Sequence, residues 1–98
     1  MGKYYILKDK LPVEVDSMAW GKWFDTNKNK IIKQQVIKKV RISTIFLGLD
    51  HSFGGGIPIL FETMIFGGKH DQYQERYTTY EDAEAGHKIT VALIRSKK

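Results

Sequence analysis

The sequence predicts an α+β domain: a small antiparallel sheet of about four to five strands, a short helix in the N-terminal half, and a C-terminal helix packed on the sheet. Three observations carry this. Two strongly apolar segments, Arg41 to Leu49 and Ile57 to Phe66, flank the glycine-rich stretch DHSFGGG, the pattern of strand, loop and strand. Trp20, Trp23 and Phe24 fall at i, i+3 and i+4 behind Asp16, which is the spacing of one helical face. Ala83, His87, Val91 and Ile94 form a second such stripe behind Thr79.

In chain order, Tyr4 to Lys8 and Pro12 to Val15 read as a strand or hairpin interrupted by Asp9-Lys10. Asp16 caps a helix beginning at Ser17, and Val15 precedes the cap where a hydrophobic staple onto Trp20 would sit. Asp25 to Lys30 is a polar turn. Ile31 to Val40 mixes β-branched residues with Lys33, Lys38 and Lys39, as a strand with one wet face does. Arg41 to Leu49 is apolar on both sides and reads as a central strand covered on both faces. Asp50 to Gly56 cannot continue it, because three consecutive glycines suit neither helix nor strand. Ile57 to Phe66 is the second apolar strand, closed by Gly67-Gly68, and Glu75 to Thr78 adds an edge strand. Thr79 then caps the last helix, with Asp82 three residues on in a variant of the capping box, and Ala85, Ile89 and Ala92 make a further stripe of it.

The chain of 98 residues has room for one hydrophobic core, so residues 1–98 are read as a single domain. Cysteine is absent, which removes disulfides, thiolate metal sites and a cysteine nucleophile and fits a reducing, cytoplasmic compartment. The run from Tyr4 to Leu7 meets Lys8, Asp9 and Lys10 at once, so no signal-peptide core is expected. Nowhere do about 18 apolar residues run together, so no membrane span is expected. The net charge of +5 is uneven: residues 1–41 hold ten Lys/Arg against four Asp/Glu, and residues 42–98 hold six against seven.

Glu62 is the only formal charge between His51 and Lys69, on a strand face with Leu60, Met64 and Phe66. A carboxylate there acts as an acid, base or recognition anion, or it pairs with Arg41 or Arg76 or faces solvent at an edge. His51, His70 and His87 match no metal-ligand spacing, and no metal or other cofactor is assigned. The loops Gly54-Gly55-Gly56 and Gly67-Gly68 could offer backbone N–H groups to an anion beside Lys69, His70 or Arg76. Neither fits a known phosphate fingerprint: Thr63 stands where a P-loop needs its first glycine, and His70 where it needs Ser or Thr. The cations Lys28, Lys30, Lys33, Lys38, Lys39 and Arg41 could neutralise phosphates, with Tyr4, Tyr5, Trp20 and Trp23 available to stack on bases. The same lysines on an exposed strand also guard against edge-to-edge aggregation. No serine lies in a G-x-S-x-G elbow, and no catalytic residue is assigned.

The segment VRISTIFLGLDHSFGGGIPILFETMIFGG, followed by QERYTTYEDAEAGHKITV, resembles a recurrent family of short proteins of tailed phages and prophages, and the resemblance reaches back through KYYILKDKLPVEVDSMAWGKWF. Its distinctive parts are the strand-loop-strand from Phe46 to Gly68 and the aromatic-E-x-A-x-x-G-H helix start from Tyr80 to His87. What the resemblance implies is a class of role: accessory proteins that act in the host bacterial cytoplasm, usually by binding.

The resulting expectation is a non-enzymatic phage accessory protein, a counter-defence factor that binds a host protein or a small anionic or nucleotide signal. Its expected surface is His51, Phe53, Gly54, Gly55, Gly56, Lys69, His70, Asp71 and Arg76, on the premise that both glycine loops lie at neighbouring strand ends. Two alternatives stand beside it: a nucleic-acid-binding factor working through the basic 28–41 segment, and a small metal-dependent or acid/base enzyme using Glu62 with His51 or His70. A short chain with a lysine-flanked edge strand is also compatible with a homodimer.

Overall fold

The computed structural model describes residues 3–26, 30–50, 52 and 56–96. Its elements in order are β1 (Tyr4–Lys8), β2 (Leu11–Val15), α1 (Ser17–Thr26), β3 (Ile31–Ile37), β4 (Val40–Phe46), β5 (Phe61–Phe66), β6 (Gln74–Tyr77) and α2 (Tyr80–Ser96). The fold is α+β, as expected. The strands make two antiparallel sheets, a β1-β2 hairpin and a four-stranded meander in the order β3-β4-β5-β6, with α2 packed on the meander.

Local chemistry sets the helix ends. The Ala19 N–H donates to Asp16 Oδ1 at 2.9 Å, and the Asp82 N–H donates to Thr79 Oγ1 at 3.0 Å, so each cap satisfies a donor with no partner inside its helix. Both two-residue hairpin turns use non-glycine residues with positive φ: Asp9 and Lys10 at 52° and 72°, Lys38 and Lys39 at 52° and 68°. The second turn corrects the expected strand from Ile31 to Val40. Two successive left-handed residues reverse the chain at Lys38-Lys39, and Val40 already belongs to the next strand. Likewise β5 begins at Phe61, not Ile57, because its pairing with β4 runs only from Phe46↔Phe61 to Arg41↔Phe66.

The core lies between α2 and one face of the meander. Ile42, Thr44 and Phe46 of β4 and Phe61, Thr63 and Ile65 of β5 are almost fully buried there, under Ala83, His87, Thr90, Val91 and Ile94 of α2. Ile37, Val40, Ile42, Ile65, Val91 and Ile94 form one apolar cluster. Phe46, Leu60, Phe61 and Ala83 form another, extended by Tyr5, Leu7, Trp23, Phe24, Ile32, Tyr77 and Tyr80. Thr44, Thr63 and His87 fall between the two on each element. Ile32 reaches the second cluster because the β3-β4 register shifts between Ile31 and Lys33, leaving it as the extra residue of a bulge.

The opposite face departs from the expectation of a central strand covered on both sides. It carries Gln34 and Val36, Arg41, Ser43 and Ile45, Glu62, Met64 and Phe66, then Gln74 and Arg76, and among the described residues no helix packs across it. Its polar members are partnered sideways. Arg76 Nε meets Glu62 Oε2 at 3.0 Å and Gln74 also donates to that oxygen, while the Arg41 guanidinium lies 4.5 Å from the centre of the Phe66 ring.

The N-terminal hairpin and α1 join the meander at one end, where the Tyr5 N–H donates to the Gly48 carbonyl at 2.8 Å. Gly48 holds φ 76° with Phe24 and Trp20 directly against its Cα, so no side chain fits. Gly86 of α2 has the same constraint from packing alone: a Cβ there would overlap the Tyr77 ring and hydroxyl. Burial raises the Tyr77 pKa; the nearby Thr63 hydroxyl pulls it down but lies outside hydrogen-bonding geometry, leaving the phenol oxygen buried without a partner among the described residues.

Gly86→Ala is expected to lower stability by about 1–2 kcal/mol, because overpacking outweighs the roughly 1 kcal/mol that alanine gains in a helix. Tyr77→Phe removes an unsatisfied hydroxyl and is expected to be neutral or stabilising by up to about 1 kcal/mol. Urea denaturation of both variants and of the double variant, in which the Gly86→Ala loss should shrink, checks this packing.

Candidate functional site

The helical stripe that buries Ala83, His87 and Val91 brings one imidazole into the seam between α2 and the sheet. His87 is 2% exposed, with Nδ1 2.6 Å from Thr44 Oγ1 and Nε2 2.8 Å from Gln35 Oε1; Thr44 Oγ1 is in turn 2.6 Å from Thr63 Oγ1. A neutral imidazole has one donor and one acceptor, and this arrangement uses both. With the Gln35 carboxamide oxygen facing the ring, Nε2–H donates to Gln35 and Nδ1 accepts from Thr44, whose oxygen accepts from Thr63. Desolvation first, and the Lys33 ammonium second, push the His87 pKa below its ordinary 6.5. Protonation at Nδ1 would also reverse the direction of the threonine bonds.

Outward from this seam lies a groove of about 320 Å³, walled by Ile32, Lys33 and Gln35 of β3 and by Glu84, His87, Lys88, Val91 and Arg95 of α2. Residues 84, 88, 91 and 95 recur at three- and four-residue steps, so α2 presents them along one edge. Three cations, Lys33, Lys88 and Arg95, face one carboxylate, Glu84. The Gln35 carboxamide, its oxygen taken by His87, keeps two N–H donors for the groove.

Of the surface expected from sequence, Gly56, Lys69, His70, Asp71 and Arg76 fall within the described residues. His51, Phe53, Gly54 and Gly55 lie outside the described residues, as does Lys28. Among the described members, Gly56 precedes β5, Lys69, His70 and Asp71 follow it, and Arg76 lies on β6. On either side of β5 an aspartate accepts from nearby backbone N–H groups. Asp71 Oδ1 accepts from the Gly67 N–H at 2.6 Å, and Asp50 Oδ1 accepts from Ser52 and Ile59 at 2.8 and 3.0 Å. Gly56 is exposed, Lys69 sits in the tight turn after β5, and the Nε2 of His70 is buried with no hydrogen-bond partner among the described residues. Arg76 is engaged by Glu62, the pairing that was one of the two partners expected for that carboxylate. Glu62 lies on β5 and His70 beyond its far end, and among the described residues no three His, Asp or Glu side chains are placed to hold a metal.

The described cations of the basic segment have different neighbours. Lys30 Nζ donates to the Phe24 carbonyl at 2.9 Å, Lys33 faces α2, Lys38 Nζ reaches the Arg95 carbonyl at 3.4 Å, Lys39 is exposed in the turn, and Arg41 is on the opposite face. Tyr4, Trp20, Trp23, Phe24 and Phe46 pack on one another with centroids 4.9–6.1 Å apart, Phe24 and Phe46 stacked and the other pairs tilted or edge-on.

What the fold and groove define is a two-layer α+β protein with a cationic cleft at its helix–strand edge. No family model, curated protein or solved structure matches the chain. No helix of the described residues is long and apolar enough to cross a membrane.

His87 gives the site a pH signature. Its pKa is depressed on folding, so between that lowered value and 6.5 the unfolded chain binds the extra proton. The contribution of the neutral imidazole is full above about pH 6.5 and is lost as the pH falls, by at most about 1.4 kcal/mol per pH unit. Urea denaturation from about pH 7.5 to 5 should show the stability gap between wild type and His87→Gln narrowing on acidification; a constant gap would show that His87 is not held neutral.

Proposed function

We propose that this protein works by binding, as an accessory factor of the tailed-phage kind its sequence resembles, in the cytoplasm of the host bacterium. In this reading it is a counter-defence factor, and the groove between β3 and α2 holds an anionic group of its target. The observation that carries the proposal is the charge and polarity of that groove: Lys33, Lys88 and Arg95 against Glu84 alone, around a neutral Gln35–His87 pair that offers donors. Three cations and an oriented carboxamide favour carboxylate or phosphate oxygens. The volume of about 320 Å³ matches the lower range of small-molecule and side-chain pockets.

Amide NMR titration with pyrophosphate, a nucleotide panel and polyglutamate tests it. Shifts are expected at Lys33, Gln35, His87 and Lys88, and Lys33→Glu/Lys88→Glu is expected to weaken binding at least about tenfold, with a loss that grows at low salt. Lys39→Glu/Arg41→Glu, outside the groove, should leave affinity within about twofold. If that pair matters as much as the groove pair, the ligand lies along the basic 28–41 segment, as a nucleic acid would.

A further inference from the structure

The groove lies against the outer edge of β3, which ends the meander and, among the described residues, pairs only with β4. The two-residue turn at Lys38-Lys39 makes Ile37 and Val40 a hydrogen-bonded pair. Bonding then alternates along the strand, so Gln35 bonds inward while the N–H and C=O of Gln34 and Val36 point out from the sheet. Among the described residues nothing pairs with them. Side chains alternate across the same edge. Lys33 and Gln35 face α2 and the groove, whereas Gln34 and Val36 face the open side, where Val36 is 67% exposed.

We propose that β3 is a docking edge for an extended acidic segment of a partner protein, which adds to the sheet as a fifth strand. This rests on the groove being an anion site and names what brings the anion. In an added strand, alternate side chains project to opposite faces. Those on the α2 side enter the groove and meet Lys33, Lys88 and Arg95, which selects Asp or Glu. Those on the other side lie beside Val36 and the open sheet face, which selects apolar residues. The partner segment therefore alternates acidic and apolar residues over about five to seven positions, the length of an ordinary strand. Charge complementarity chooses the groove side and backbone pairing fixes the register, so neither a compact anion nor a helix satisfies both.

Four probes test it by fluorescence anisotropy: a capped heptapeptide alternating glutamate and valine, the same peptide N-methylated on its valines or on its glutamates, and inorganic pyrophosphate as competitor. Only one alternate set of peptide amides faces β3. One methylated peptide is expected to lose binding at least about tenfold while the other keeps it, and pyrophosphate should compete. Val36→Pro removes an outward N–H that the ladder with β4 does not use; it should retain a cooperative thermal transition and lose the peptide while keeping pyrophosphate, read directly by amide NMR titration at Lys33 and Lys88. Equal affinities for the two methylated peptides, or undiminished peptide binding to Val36→Pro, would overturn strand addition. Pyrophosphate binding without peptide binding overturns it as well and leaves the anion groove standing, whereas failure of both probes removes the groove reading itself.

Discussion

The hydrogen-bonded line from Thr63 through Thr44 and His87 to Gln35 fixes how the helix lies on the sheet. It crosses β5, β4, α2 and β3, and it separates the two apolar clusters of the core. Each bond contributes only about 1 kcal/mol net, but an orphaned buried member costs roughly 1–3 kcal/mol. A slip of α2 by one turn would set His87 against Ile42 and Ile65, or against Phe46 and Phe61, with no partner for either ring nitrogen. The apolar clusters alone would tolerate such a slip better, since they ask only for volume. The polar line therefore supplies the register, and the groove at its outer end exists because that register brings Gln35 opposite the imidazole.

Everything else in the described chain gathers on the same side. The hairpin and α1 extend the aromatic cluster at Phe46, and α2 covers the centre. The reverse side of the meander is left to cross-strand pairs, Glu62 with Arg76 and Arg41 with Phe66. These keep a half-apolar surface tolerable in water by laying charged groups along it. The same one-sidedness leaves β3 accessible at its margin, with differently coloured chemistry above and below.

Much of the architecture was legible because it is written in local patterns. The caps at Asp16 and Thr79, the stripe of Ala83, His87, Val91 and Ile94, and the apolar core of β4 and β5 all depend on residues a few positions apart. The break between β3 and β4 was not legible, because Lys38-Lys39 lacks the glycine or asparagine that marks such a turn. Nor was the groove: Gln35 and His87 are 52 positions apart, and only strand pairing and helix docking bring them together. His87 could be placed on the buried stripe, yet its partners could not be named. The Gly67-Gly68 turn shows a related limit: sequence shows that it is glycine-rich, but not that Asp71 accepts from the Gly67 N–H.

The two left-handed turns have a shared consequence. Lys10 at the apex of the first hairpin lies 5.3 Å from the centre of the Tyr80 ring, at the start of α2, and Lys38 at the apex of the second reaches the Arg95 carbonyl at its finish. An ammonium suits the negative end of a helix and an aromatic face equally. A sequence chosen for turn closure alone would carry asparagine and glycine at such apexes, sparing roughly 1–2 kcal/mol per residue of backbone strain. Lysine there lets each apex meet one end of α2, so that a shift of the helix along its axis breaks one of these contacts.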